Sequence, residues 1–286
     1  MTPEEQAFEQ WIGRTESSCD VLTLAPMVAM AATLDKAASE IAPGDALPPL
    51  WHWLYFLEPA RQSKLASDGH AQRGDFLPPI PLPRRMWAGS RLQFHKSLRA
   101  GAHITRQSTI KSISFKEGRS GKLAFVCVRH EISDEQGAAI SEEHDIVYRD
   151  HAAPDAPPPV PVAAPAKFDY SRTIVPDPVL LFRYSALTFN GHRIHYDREY
   201  VTIVEGYPGL IVHGPLLATL LVDLLIESFP DRTLQTFEFK ALAPVFDHGP
   251  FNVRGLDPDQ NNSAELWIQN HLGDLCMKAT ATIAKQ

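Results

Sequence analysis

Six leucines, Leu216, Leu217, Leu220, Leu221, Leu224 and Leu225, cover most of the circumference of a single helix predicted over 215–228. Thr219, Asp223 and Glu227 leave only a thin polar stripe. A helix this apolar cannot rest on a surface; it must be nearly engulfed. A membrane span is excluded, because Asp223 interrupts the run and Glu227 bounds it. The runs that follow, 233–243, 250–256, 264–271 and 274–283, read as antiparallel strands, so the wrapping element is a sheet.

The same order of elements recurs upstream. Val21 to Leu24 precedes a Pro26-initiated helix with Met27, Met30, Ala31 and Leu34 on one face. Then come 51–57, 91–98, 103–115, 122–132 and 142–148 as strand-like runs. In the second half an extended run over 179–187 leads into a turn before the leucine helix. Phe94, Leu98 and Gly101 echo Phe239, Leu242 and Gly249. The proline-rich stretch 152–167 blocks helix and sheet alike and marks the boundary between two halves, 1–151 and 168–286. The expected fold is α+β, a double hot-dog: two tandem antiparallel sheets, each around a central helix. One chain would then be a pseudo-dimer, and assembly into a homodimer stays open.

Charge and cysteine usage narrow the function. Against 27 Lys and Arg stand 34 Asp and Glu, and no long basic run occurs, which argues against a nucleic-acid or anionic-membrane surface. An anionic ligand would need a local arginine pocket. The N-terminus shows no secretory signal, so a cytoplasmic location is expected. Cys19, Cys127 and Cys276 are expected to be reduced, buried thiols.

The chemistry concentrates in Asn190-Gly191-His192-Arg193-Ile194-His195 and in His213-Gly214-Pro215. His195 offers a general base, and Asn190 an amide close enough to handle the same water. Gly214, where the helix begins, offers a backbone N–H and a positive helix end to an oxyanion. Water activation beside an oxyanion site suits addition to, or elimination from, a thioester-activated double bond. Asn190 also has a plain turn reading, through Asx hydrogen bonding. His192, His195 and His213 could form a zinc set, but no strong thiolate or carboxylate stands at metal spacing except Asp197, which is expected to cap a helix from Arg198. His213 is expected to be a packed residue.

These motifs resemble the MaoC-like (R)-specific enoyl-CoA hydratases and dehydratases. Their motif, roughly Ser-Gly-Asp-x-Asn-Pro-x-His followed by Ile-Val-His-Gly, corresponds to 188–195 and 211–214. Trp51-His52-Trp53, Asp68-Gly69-His70 and the segment Pro81 to Gly89 are similar to the N-terminal dehydratase domain of a subgroup that includes itaconyl-CoA and 3-methylfumaryl-CoA (mesaconyl) hydratases.

The resemblance implies a reversible hydro-lyase acting on an α,β-unsaturated acyl-CoA, with one true site per chain, in the second half. A branched five-carbon dicarboxylic thioester is the preferred substrate, and a 3-hydroxyacyl thioester on CoA or a carrier protein the runner-up. A hot-dog thioesterase and a non-catalytic CoA-binding module are the rivals from other classes. No metal or redox cofactor is expected; coenzyme A is part of the substrate. His195 falls on the catalytic histidine of the family and Gly214 on its oxyanion glycine, whereas Asn190 replaces its catalytic aspartate. His192 is a second possible acid. Arg84 and Arg85 are candidates for CoA phosphates or a substrate carboxylate, with Arg183 and Arg193 competing for that role and a solvated pair as the plain alternative.

Overall fold

The computed structural model describes residues 6–72, 74, 76–118, 121–150 and 160–285. Residue 151 and much of the proposed linker, 152–159, lie outside the described residues. The first half contains β1 (Thr15–Val21), α1 (Leu24–Thr33), β2 (Arg84–Phe94), β3 (His103–Gly118), β4 (Gly121–Asp134) and β5 (Gly137–Arg149). The second contains β6 (Tyr170–Ile174), α2 (Pro178–Leu187), α3 (Gly214–Ser228), β7 (Arg232–Ala241), β8 (Phe251–Gly255), β9 (Ser263–Gln269) and β10 (Leu275–Lys285).

All ten strands form one sheet in the order β1-β3-β4-β5-β2-β7-β10-β9-β8-β6. Each half alone has the same order: its first, third, fourth, fifth and second strands. The second strand of each half therefore meets its counterpart at the centre. There Gly89 pairs with Lys240, Arg91 with Glu238 and Gln93 with Thr236. Joining the sheets along β2 and β7 leaves neither strand as an open edge. At this seam Gly89 is needed for contact, since a Cβ there would stand 2.3 Å from the Phe239 carbonyl oxygen.

The leucine helix is engulfed as expected. Leu216 to Leu225 are all buried along α3, which packs on β7, β8, β9 and β10. Each such leucine contributes roughly 1.5–3 kcal/mol relative to an exposed one. The polar stripe is covered by ion pairs: Asp223 lies 2.6 Å from Lys36 Nζ, just past α1, and 3.2 Å from Arg172 Nη1 of β6. Lys36 also reaches Glu227 at 2.8 Å, so one first-half cation fastens the central helix of the second half. Among the described residues no helix is long and apolar enough to cross a membrane.

Three expectations need correction. The run 179–187 is not extended but the helix α2, because Pro178 occupies its first turn and Asp177 Oδ1 accepts from Leu180 N at 2.7 Å. Its buried residues, Leu181, Tyr184 and Ser185, follow helical rather than alternating spacing. The segment from Trp51 is a 3-10 turn over Trp51–Leu54, entered through Leu50 at φ +69°. Third, Cys19 is exposed, Cys127 half-buried and only Cys276 buried, all three as free thiols. In α1, Met27, Met30 and Ala31 face the core as expected, with Leu34 packed beside them beyond the helix end.

Candidate active site

A cleft of about 970 Å³ lies between the halves. One wall comes from the first half, including His52, Trp53, Trp87 and His144; facing it are Ser185, Asn190, Gly191, Arg193 and Pro215 of the second. The first half thus supplies much of the cleft.

α2 delivers the chain into the active turn. The helix closes with Thr188, Phe189 takes a left-handed φ of +49°, and Asn190 N donates to Ser185 O at 2.8 Å. Asn190 Oδ1 then accepts from His192 N at 3.0 Å, an Asx turn. The plain turn reading of Asn190 therefore describes its oxygen. Asn190 still lines the cleft.

His195 ends a 3-10 turn over Arg193–His195 and is buried. Its Nδ1 lies 2.7 Å from Ile211 O. A carbonyl oxygen can only accept, so Nδ1 carries the hydrogen and Nε2 keeps its lone pair. Burial pushes the imidazole down to about 4, partly opposed by the Ile211 hydrogen bond, so it is neutral and proton-accepting at pH 7. His195 does not itself line the cleft; its ring stacks on His213 at 3.7 Å.

His213 is a packed residue, its Nε2 2.8 Å from Ser185 Oγ and its ring against Tyr184, and burial holds it well below the usual histidine range. Gly214 opens α3, where the first N–H groups have no intrahelical partner; Pro215 beside it lines the cleft. His192 is a poor acid, because burial, then His70 and His195, push it down to about 2. Asp197 caps the next turn as expected, accepting from Tyr200 N at 3.0 Å.

The arginines separate. Arg84 is drawn away from the cleft by Glu205 at 2.8 Å and by Tyr207, so it is corrected to an ion-paired structural residue. Arg183 is exposed on α2 and does not line the cleft. Arg193 lines it but is bound to Asp197 at 2.8 Å and to Ser67 O at 3.1 Å. Arg85 lines the cleft and, among the described residues, has no ion-pair partner. Alternation along β2 explains why neighbouring arginines part.

Two groups escaped the reading of single residues. The first is a buried carboxylate, Glu142, with His144 at 2.6 Å, His52 at 3.0 Å and Trp53 Nε1 at 3.1 Å. Burial alone would raise its pKa, but the two histidines outweigh it and hold Glu142 well below the usual carboxylate range. It fixes the first-half wall, where Trp87 packs on His144 at 4.2 Å. The second is Asp68-Gly69-His70, visible in the sequence as a motif of the resemblance but without a role. Its loop docks onto the active turn: Arg193 N donates to Asp68 O at 2.9 Å, and a Cβ on Gly69 would stand 1.9 Å from Gly191 O. Asp68, His70 and His192 place donor atoms within 4.8 Å of one another, but a hydrogen bond already joins Asp68 to His70.

Comparison with known proteins fits this geometry. Residues 50–247 match the family described as hydroxyacyl-thioester dehydratase type 2. The chain belongs to this family. It is 50% identical over 274 residues to the mesaconyl-C(4)-CoA hydratase of Chloroflexus aurantiacus, covering 96% of each chain. A MaoC-like dehydratase structure from Phytophthora capsici superposes with a TM-score of 0.69 at 14% identity, covering 96% of both chains. A Mycobacterium tuberculosis protein described as a double hotdog fold superposes with a TM-score of 0.58 at 15% identity, again over 96% of both chains. The fold is therefore the double hot-dog, with its two sheets fused at β2 and β7. The family members so named are hydratases and dehydratases, hydro-lyases by reaction type.

Proposed function

We propose that this protein reversibly hydrates an α,β-unsaturated acyl-CoA, and that its substrate is a branched five-carbon dicarboxylic thioester of the mesaconyl-C(4)-CoA type. The observation that carries the reading is the 50% identity to a mesaconyl-C(4)-CoA hydratase across 96% of both chains. The site supports it chemically. His195, neutral and with Nε2 unprotonated, takes the proton of a water as its oxygen bonds to the β-carbon. Negative charge moves to the thioester oxygen, where the Gly214 N–H and the start of α3 stabilise it, an interaction that typically lowers such barriers by about 3 kcal/mol. Asn190 orients the water through its amide group.

In such a thioester the β-carbon bears both the methyl and the free carboxylate, so the anionic group sits beside the reacting atom. Arg85 is the cleft arginine available for it. Dehydration of a 3-hydroxyacyl thioester is the second reading, favoured by the family description itself. Parallel assays of the purified protein with mesaconyl-C(4)-CoA, itaconyl-CoA and crotonyl-CoA test the assignment, by loss of enoyl absorbance and by mass spectrometry. The expected result is a kcat/KM highest on mesaconyl-C(4)-CoA. Turnover of crotonyl-CoA alone would overturn the dicarboxylate assignment, and thioester hydrolysis without hydration would overturn the reaction type.

A further inference from the structure

We propose that His70, oriented by Asp68, is the second acid/base of the reaction and takes the place of the carboxylate that position 190 lacks. This inference rests on the hydratase reading above.

Hydration needs a proton acceptor for water and a proton donor for the α-carbon. An amide at position 190 cannot be either, and its oxygen is already committed to His192 N. Of the imidazoles on the active turn, His192 and His213 are disfavoured as acids by burial, and His195 is set up as an acceptor. His70 differs in position, because it lines the same cleft as Asn190 and Arg193, with its ring 4.0 Å from His192. It reaches there from the first half.

The loop is built to hold that ring. Asp68 Oδ2 lies 3.0 Å from His70 Nδ1, and Asp68 Oδ1 accepts His70 N at 3.0 Å, so one carboxylate grips both ring and backbone of the same residue. A carboxylate on Nδ1 selects the Nδ1–H tautomer and leaves the opposite edge, Nε2, for substrate. Three further contacts fix the loop against the turn: Arg193 N to Asp68 O, Arg193 Nη1 to Ser67 O, and the close approach of Gly69 to Gly191. Gly69 at φ +90° permits that approach, and no side chain fits there. The His70 ring lies 4.0 Å from His192, which lies 5.6 Å from His195. Among the described residues, the charged and titratable groups around His70 are Asp68 on its own loop, His192, Arg193 and His195 on the turn, and Arg85 in the cleft lining.

In the forward direction the water oxygen bonds to the β-carbon and its proton goes to His195 Nε2. The double-bond pair becomes the enolate, and that pair then forms the C–H bond at the α-carbon with the Nε2 proton of His70, whose ring enters this step doubly protonated with its Nδ1–H held by Asp68 and leaves it as the neutral Nδ1–H tautomer. His195 then releases the proton it took from water, and His70, which lines the cleft, regains one from water. The sum is the addition of one water.

His70→Gln, Asp68→Asn and the double variant His70→Gln with Asn190→Asp test this, each assayed for hydration of mesaconyl-C(4)-CoA across pH. Expected are a kcat loss of ~100-fold or more for His70→Gln with KM within a few-fold, and a loss of ~10-fold for Asp68→Asn with an altered pH profile. The double variant should recover part of the kcat lost by His70→Gln, because a carboxylate returns to position 190. Near-wild-type kcat in His70→Gln overturns the proposal, as does a loss confined to KM. If His70→Gln does not fold, Asp68→Asn decides: an unchanged kcat and pH profile overturns the proposal. A wild-type protein that hydrates no thioester would instead overturn the function reading, a result distinct from all of these.

Discussion

The two halves share one strand order but divide the work. In the first, β3, β4 and β5 run 16, 14 and 13 residues and stand beside a ten-residue α1; in the second, β8 and β9 run only 5 and 7 residues around the 15-residue α3. The longer sheet carries Glu142, His144 and Trp87 on the cleft wall, while the longer helix starts beside the cleft at Gly214 and Pro215. In the proposed mechanism one half supplies mostly shape and the other mostly chemistry. The repeated strand order allows this because the halves share one continuous sheet through β2 and β7, so each can give up features that the other supplies. The exception is Asp68-Gly69-His70, first-half residues that sit on the second-half turn.

The largest expected effect tests the chemical half. His195→Ala should lower kcat by ~100-fold or more with substrate affinity within a few-fold, since proton transfer and not binding is removed. Steady-state kinetics on the folded variant checks it, and a near-wild-type rate would return the chemistry to the other half.

Acid stability involves both halves at once. Burial holds His130 of the first half down to about 3, with His144 adding to it, and His195 of the second down to about 4. Both are neutral in the folded protein over a range where the unfolded chain, near 6.5, is protonated. Stability should therefore fall as pH drops from about 6.5 toward 4, by about 1.4 kcal/mol per pH unit for each histidine. His192 and His213, also held down by burial, add to the slope in the same direction. Urea denaturation at pH 6 and pH 5 measures it; His195→Gln should lower the slope by about 1 kcal/mol per pH unit, and a flat profile would contradict the buried neutral histidines.

The proposed mechanism assigns substrate selection to Arg85 of the first half. Arg85→Met should weaken the dicarboxylic thioester over crotonyl-CoA by about 2 kcal/mol, whereas Arg84→Met, already paired with Glu205, should leave that ratio unchanged. Equal losses on both thioesters would move Arg85 to the CoA phosphates.

Gly69→Ala attacks the contact between the halves and should destabilise by at least about 1 kcal/mol, from positive φ and collision with Gly191 O. Thermal melting checks it; an unchanged midpoint would mean that the loop yields at no cost. The smallest effect is expected at Asn190: Asn190→Asp keeps the acceptor for His192 N and the wild-type stability, while Asn190→Leu loses about 1 kcal/mol with that hydrogen bond.

Legibility followed the range of the interaction. Leucine periodicity over 216–225, alternation along β7 to β10 and the repeated order of elements are local patterns, and they suffice for the double hot-dog. The run at 179–187 misled because its apolar residues are contiguous, and a short apolar run does not reveal its period; Pro178 and Asp177 were the signals of a helix start. Strand alternation accounts for the separation of Arg84 from Arg85, but which one enters the cleft depends on Glu205, 121 positions from Arg84.

By itself the sequence determined the engulfed helix, the paired halves and the candidate turn over 190–195, because spacing along the chain encodes which side chains share a face. Only the tertiary structure decided that His195 Nδ1 faces the Ile211 carbonyl, that Arg84 is already paired, and that His70 stands against His192 in the cleft. Those facts depend on backbone carbonyls, carboxylates and loops brought together from distant positions, and no period in the sequence records a contact made by folding one half against the other.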